Sequence, residues 1–144
     1  MRVRRARVLA APPEEVWRVV GDPHHLPRWW PMVERVEAVE PDAWTSVLRN
    51  RRSGRAVRAD YRVTAHEPPV RRAWAQELAN TPFERLLRSY EATATVTPAA
   101  RGTEVALEVQ QRHRGTARLG TFMARRAARR QLDIALDGLA AVLE

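Results

Sequence analysis

The chain has 144 residues, 44% of them apolar, which suits one domain with its own hydrophobic core. It carries a net charge of +8, and it has no cysteine, which excludes disulfides, cysteine nucleophiles and thiolate metal ligands. The 25 basic residues are all arginine, but the few aromatic residues do not alternate with them as on a base-stacking surface. No apolar run is long enough for a membrane span or a signal sequence, so we expect one cytoplasmic domain, residues 1–144.

The N-terminal part predicts a strand followed by two short helices. Residues 2–9 alternate loosely between apolar and polar side chains, as a strand does. The stretch APPEEVWRVVGD has a proline where a helix begins, two glutamates in the first turn and Gly21 as a terminator. Asp22 and Pro23 then suit the cap and first residue of a second helix.

The middle of the chain alternates with a period of two and predicts about six strands joined by short turns. The first of them contains one offset in the alternation, which indicates a bulge or bend. The predicted strands are VERVEAVE, DAWTSVLRN, GRAVRADYRVTA, RRAWAQEL, ERLLRSYEATATVTP and TEVALEVQQRH.

After Gly115 the pattern changes to the spacing of three and four that is typical of a helix, over about 28 residues. Its apolar stripe consists largely of small side chains: Ala124, Ala128, Leu132, Ala135, Leu139 and Val142. We therefore predict an α+β fold in which a curved antiparallel sheet of about six or seven strands wraps the long C-terminal helix. The alanines should leave room between helix and sheet.

This order of elements, with the motifs APPEEVW, DPxxLPxWWP, TPFERL and GTEV before a long final helix, resembles the START/Bet v 1-like (SRPBCC) superfamily. The similarity covers the whole chain, and its polyketide cyclase/dehydrase branch is the most similar. The resemblance implies a helix-grip fold with a cavity between sheet and helix. It also implies a hydrophobic ligand such as a lipid, sterol or polyketide, and aromatase/cyclase activity in a minority of members.

We therefore interpret the stretch GDPHHLPRWWP as the closing wall of that cavity. Trp29 and Trp30 are adjacent, so in extended chain one caps the core or the mouth and the other faces outward or packs under the long helix. His24 and His25 are consecutive and cannot share one helix face, and no metal-ligand spacing occurs elsewhere. We expect no metal and no cofactor.

Candidate ligand-binding residues are those that the strand alternation places on the inner face together with one tryptophan of the wall: Trp30, Tyr61, Trp74, Gln76, Arg88 and Tyr90. There is no nucleophile elbow and no glycine-rich phosphate loop. A buried Arg88 would need a carboxylate, from the ligand or from Glu77 or Glu91.

A basic run extends from Val109 to Leu132, where the sequence has no acidic residue. On the predicted helix its arginines lie mostly off the apolar stripe, namely Arg118, Arg125, Arg126, Arg129 and Arg130. They form either a solvated outer face or a patch for anionic lipid, RNA or the ribosome. Asp133 and Asp137 should pair with the arginines one turn earlier.

Three hypotheses on function remain open. The favoured one is the binding, with or without transport, of a small hydrophobic molecule in a cavity of roughly 300–1,000 Å³. The second is a cofactor-independent polyketide aromatase/cyclase or dehydratase that acts by positioning and proton transfer. The third is an interaction module that binds an anionic surface through the arginines. The sequence alone does not choose among them, nor does it give the oligomeric state.

Overall fold

The computed structural model describes residues 1–50, 52–115 and 118–144, and the side chains of Arg118 and Leu119 lie outside that description. The described residues form seven strands, three α-helices and two short 3₁₀ helices. Their bounds are β1 (Arg2–Leu9), α1 (Pro13–Val20), a 3₁₀ helix (Pro23–His25), α2 (Leu26–Trp29), β2 (Val33–Glu37), β3 (Ala43–Arg49), β4 (Ala56–Glu67), β5 (Arg71–Glu77), a second 3₁₀ helix (Pro82–Arg85), β6 (Leu87–Ala99), β7 (Gly102–His113) and α3 (Arg118–Leu143).

All seven strands belong to one antiparallel sheet with the order β1-β7-β6-β5-β4-β3-β2. From β2 to β7, strands that follow one another in sequence are neighbours, and β1 lies at the edge opposite β2, where it pairs with β7. Together with the long final helix and the short helices after β1, this confirms the predicted α+β helix-grip architecture.

Three irregularities in strand pairing interrupt the sheet, between Val33 and Arg35, between Val63 and Ala65, and between Leu87 and Ser89. Bulges of this kind bend a strand and reverse which side chains face inward. The first confirms the offset expected in VERVEAVE. The third lies beside the candidate site and changes which residue points inward there.

The helix α3 packs mainly against β1 and α2, with fewer contacts to β7, and does not lie across the whole sheet. Its inward leucines Leu132, Leu136 and Leu139 are fully buried. At Gly138 the backbone of α2 comes so close that an added Cβ would lie 2.6 Å from the carbonyl oxygen of Trp29. The packing therefore fixes α2 and Trp29 under the C-terminal half of α3.

The acids of α3 form ion pairs with the first strand. Asp133 accepts from Nε of Arg5 at 2.8 Å, and Asp137 accepts from Nη1 of Arg7 at 2.6 Å. The expectation that these acids would pair with arginines one turn earlier in the helix is therefore wrong, because β1 brings two arginines alongside α3.

No helix in the described part of the chain is long and apolar enough to cross a membrane.

Candidate functional site

Aromatic side chains occupy the centre of the space enclosed by the sheet and the short helices. Trp30 meets Trp74 edge to face with ring centres 5.6 Å apart, and Trp29 meets Trp30 in the same way at 5.4 Å. Trp44 stacks on Tyr61 at 5.5 Å and tilts towards Trp74 at 6.2 Å. Such pairs add to the hydrophobic gain of burial, so this cluster is a major part of the core.

The interior is therefore not the open chamber that the sequence pattern predicts. A small void beside Trp44 and Trp74 has no room for a water molecule. Two of the larger spaces are open clefts, one beside α3 and one in the sheet. Alanines of α3 do border an open space, but that space is the cleft beside α3, because indole rings fill the centre of the interior.

Arg72 lies beside the void with its side chain buried. Its Nη1 donates to Nδ1 of His66 at 2.9 Å, and its guanidinium lies over the ring of Trp44 at 5.8 Å. Burial lowers the pKa of Arg72, while the carboxylate of Asp22 acts in the opposite direction. Arg72 and Trp44 are inner-face residues that the sequence analysis missed. Arg72 lies two residues before Trp74, so the period of two could have identified it.

The first cleft, of about 500 Å³, lies between the N-terminal half of α3, the end of β7 and the segment that follows α2. Its lining is mostly apolar, with the polar groups at its edges: Pro31, Met32, Gln111, His113, Ala124, Ala127, Ala128, Arg130, Gln131 and Ile134. We call it the apolar cleft. Its volume is in the range of small-molecule sites.

The second cleft, of about 650 Å³, lies where β5 and β6 separate. The two strands pair from Arg71 opposite Thr95 to Ala75 opposite Glu91, and no pairing between them is found beyond that point. The predicted site residues Gln76, Arg88 and Tyr90 all line this space, together with a majority of polar neighbours. We call it the polar cleft.

Two hydrogen-bond donors, Gln76 and Tyr90, line this cleft from the neighbouring strands β5 and β6, and Tyr61 lies outside it. The side-chain nitrogen of Gln76 is buried and has no hydrogen-bond partner among the described residues. Burial raises the pKa of Tyr61, and burial together with the nearby Tyr61 raises that of Tyr90. Both phenols therefore stay protonated over the physiological range and can donate to an oxygen acceptor, but they cannot serve as bases.

Arg88 lies exposed, contrary to the expectation that it shares the inner face with Tyr90. The irregular pairing between Leu87 and Ser89 shifts the alternation by one residue, and Leu87 packs on the core instead. An exposed arginine needs no buried counterion. The carboxylate of Glu77 pairs with Arg62 at 2.6 Å, and that of Glu91 accepts from the hydroxyl of Thr64.

The remaining predicted residues divide between core and rim. Both Trp29 and Trp30 are buried, so neither faces outward. Trp29 lies against Gly138, which agrees with the other alternative, that one tryptophan packs under the long helix. The ring of His24 contacts the carboxylate of Asp22 at 2.8 Å, and Nδ1 of His25 accepts from Arg28. In the described part of the chain, no three acidic or histidine side chains come together as metal ligands would.

The arginines of α3 differ in their surroundings. Arg126, Arg129 and Arg130 are exposed, and no ion pair involves them in the described parts of the chain. Arg125 is half-buried and donates to the carbonyl oxygen of Arg2 at 3.3 Å. The side chain of Arg118 falls outside the described residues.

Solved structures with the same fold cover nearly the whole chain. A protein from Chromobacterium violaceum has a TM-score of 0.76 at 23% identity, with 99% of this chain and 96% of that one covered. A START superfamily protein from Mycobacterium smegmatis has a TM-score of 0.79 at 13% identity, with coverage of 99% and 96%. The di-domain ARO/CYC BexL of the BE-7585A biosynthetic pathway has a TM-score of 0.79 at 23% identity, with 98% of this chain and 45% of that one covered.

At these identities the structures establish the fold. No curated protein matches the sequence. The family model described as "polyketide cyclase / dehydrase and lipid transport" matches residues 1–144 in full. With the helix-grip architecture, that match shows that the chain belongs to the polyketide cyclase/dehydrase and lipid transport family.

Proposed function

We propose that this protein binds a small hydrophobic molecule, a lipid or a polyketide, in the apolar cleft. The observation that carries the proposal is an open space of about 500 Å³ beside α3 whose lining is mostly apolar. Three of the lining residues are alanines of one helix, Ala124, Ala127 and Ala128. Small side chains at these positions keep the space open, and family membership supports this class of ligand.

The size of the cleft also suits weak-to-moderate affinity. Each buried methylene contributes about 0.8 kcal/mol, so a ligand with about ten of them gains roughly 8 kcal/mol. Loss of translational freedom and ordering of the ligand offset a large part of this gain. If about half of the gain is offset, the remaining gain of about 4 kcal/mol corresponds to a dissociation constant of about 1 mM, which is compatible with taking up and releasing a carried molecule.

The test is to fill the cleft. Ala124→Trp places an indole in it, whereas Ala141→Trp adds the same bulk at an exposed position of α3 that does not line it. Binding of the neutral apolar dye N-phenyl-1-naphthylamine is measured by fluorescence, and co-purified molecules are identified by native mass spectrometry. Ala124→Trp should weaken dye binding at least tenfold while Ala141→Trp leaves it unchanged. Equal binding by the two variants contradicts the proposal.

A second function, polyketide aromatase/cyclase or dehydratase activity, is favoured by the polar cleft. Gln76 offers an unpaired amide nitrogen, and Tyr90 lines the same space with a phenol that stays protonated. An oxygen-rich polyketone chain presents carbonyl oxygens that accept from such donors, which would hold it in one folded geometry.

Cyclase activity is tested by incubating a poly-β-ketone analogue with the protein and resolving the products. The wild type should shift the product ratio away from the spontaneous one, and Tyr90→Phe should remove most of that shift because the donor is lost. Ser89→Ala, a change at an exposed residue of the same cleft, is the matched control. Products identical to the spontaneous mixture count against an enzyme.

We also infer that the arginines of α3 contact an anionic surface. Arg126, Arg129 and Arg130 are exposed, and the two acids that follow them are held by β1. Contacts with phosphate groups weaken as salt displaces them. Binding that does not fall between about 50 and 200 mM salt would argue against this inference.

A further inference from the structure

Two large apolar side chains project from the first turns of α3. Phe122 is 65% exposed and Met123 is 63% exposed. Side chains of this size that lie adjacent and uncovered indicate a surface made for contact with something apolar. A third, Leu86, is exposed at the same end of the molecule, where its carbonyl oxygen accepts from the backbone N–H of Arg114.

Exposed arginines lie next to this apolar pair on α3. Arg126, Arg129 and Arg130 follow it within two turns, all exposed. The sequence has no acid between Val109 and Leu132 to neutralise them. We call Phe122, Met123, Arg126, Arg129 and Arg130 the docking face.

The docking face adjoins the mouth of the apolar cleft. Met123, Ala127, Arg130 and Ile134 are separated by four, three and four residues, so they form one line along α3. The last three of them line the cleft. The exposed apolar surface thus continues from Met123 into the cleft.

We propose that the docking face binds the surface of an anionic lipid bilayer. Phe122 and Met123 enter the apolar boundary of the bilayer, while the three arginines contact lipid headgroups. The apolar cleft then opens towards the acyl chains, so a hydrophobic ligand passes between bilayer and protein without crossing water. This last step rests on the proposed ligand binding, whereas the docking rests on the proposed contact of the α3 arginines with an anionic surface.

A bilayer fits these residues better than RNA does. RNA would neutralise the arginines, but single-stranded RNA is held by aromatic side chains interleaved with basic ones. Here one phenylalanine stands beside a methionine at the edge of an apolar cleft. Only a partner with an apolar interior covers all of these groups together.

The test is sedimentation of the full chain with phosphatidylcholine vesicles that contain either no or about 30% phosphatidylglycerol. The wild type should bind only the vesicles that contain phosphatidylglycerol, and about 500 mM salt should release it from them. Each arginine near the surface contributes about fivefold in affinity, so replacing the three with glutamine should weaken binding about 100-fold. Phe122→Ser with Met123→Ser should weaken it about twentyfold even though the charge is unchanged.

Matched controls lie at the opposite end of the sheet. Val70→Ser removes an exposed apolar side chain and Arg101→Gln an exposed charge there, and both should bind vesicles as the wild type does. All the replaced side chains are exposed, so the variants should keep the wild-type melting temperature. Loss of binding in the controls, or an unchanged affinity in the serine pair, overturns the proposal. So does retention by single-stranded RNA without retention by vesicles.

Dye binding in vesicle-free buffer separates this proposal from the ligand proposal. If the protein binds vesicles but not the dye, the docking proposal is supported and the ligand proposal is contradicted. If it binds the dye but not vesicles, the ligand proposal is supported and the docking proposal is contradicted.

Discussion

Gly138 is the point where the backbones of α2 and α3 touch, and replacing it with alanine should loosen this contact. The new Cβ would lie 2.6 Å from the carbonyl oxygen and 2.8 Å from the Cα of Trp29. Both are backbone atoms, so no side-chain rotation relieves the contact and the two helices must move apart by several tenths of an ångström. Overpacking of this kind costs about 1–3 kcal/mol, and the upper part of that range applies to backbone atoms.

Alanine also favours the helix over glycine by about 1 kcal/mol. The two effects oppose each other, and the net loss in the free energy of unfolding should be about 1–2 kcal/mol. With a urea m-value of about 2 kcal/mol per molar, the unfolding midpoint should fall by about 0.5–1 M. Urea titration followed by tryptophan fluorescence measures it.

Gly120→Ala is the matched control because Gly120 lies exposed in the same helix. Gly120→Ala should gain the higher helix propensity of alanine without the steric contact present at Gly138, so its urea unfolding midpoint should rise slightly. A Gly138→Ala protein as stable as the wild type, or more stable, would refute the close contact between α2 and α3. The same outcome would remove the reason for Trp29 and Trp30 to be held under α3.

Three further changes test the interior and the caps. Trp74→Ala removes the ring at the centre of the aromatic cluster and should cost about 3–5 kcal/mol of unfolding free energy, measured by urea titration. Thr103→Val leaves the carbonyl oxygen of Ala11 without its buried donor at 2.7 Å and should cost about 1–3 kcal/mol, whereas Thr97→Val at an exposed position should be near neutral. Burial acts to raise the pKa of Asp22, but hydrogen bonds from a neighbouring histidine bring it below its ordinary value. Its stabilising effect should therefore be complete above about pH 4 and be lost as the pH falls through the lowered pKa, and Asp22→Asn should show less loss of stability between pH 7 and pH 3.

The regular elements were predictable because each follows a single period. Strand β4 alternates up to its irregularity after Val63, and α3 keeps its stripe over several turns. These patterns depend only on which side of an element is buried. The predicted sheet, its curvature and the final helix therefore follow from residue spacing.

The orientation of Arg88 was not predictable in the same way. One extra residue at Leu87 and Ser89 reverses the alternation, and no residue type in RLLRSY marks that reversal. The ion-pair partners of Asp133 and Asp137 were likewise not predictable, because they depend on β1 lying beside α3. Alternation also places Trp74 inward without telling whether an indole lines a chamber or fills it. Whether the indole fills the interior depends on how closely α2 and the tryptophan after it pack against the sheet.

The pairing of β1 with β7 has a consequence for synthesis on the ribosome. Arg2 lies opposite Gln110, so β1 finds its neighbour only after more than a hundred further residues have emerged. Its ionic contacts, Arg5 with Asp133 and Arg7 with Asp137, come later still. Contacts between such distant segments form slowly. The arginine-rich strand β1 must therefore stay unpaired in water until β7 and α3 have been made.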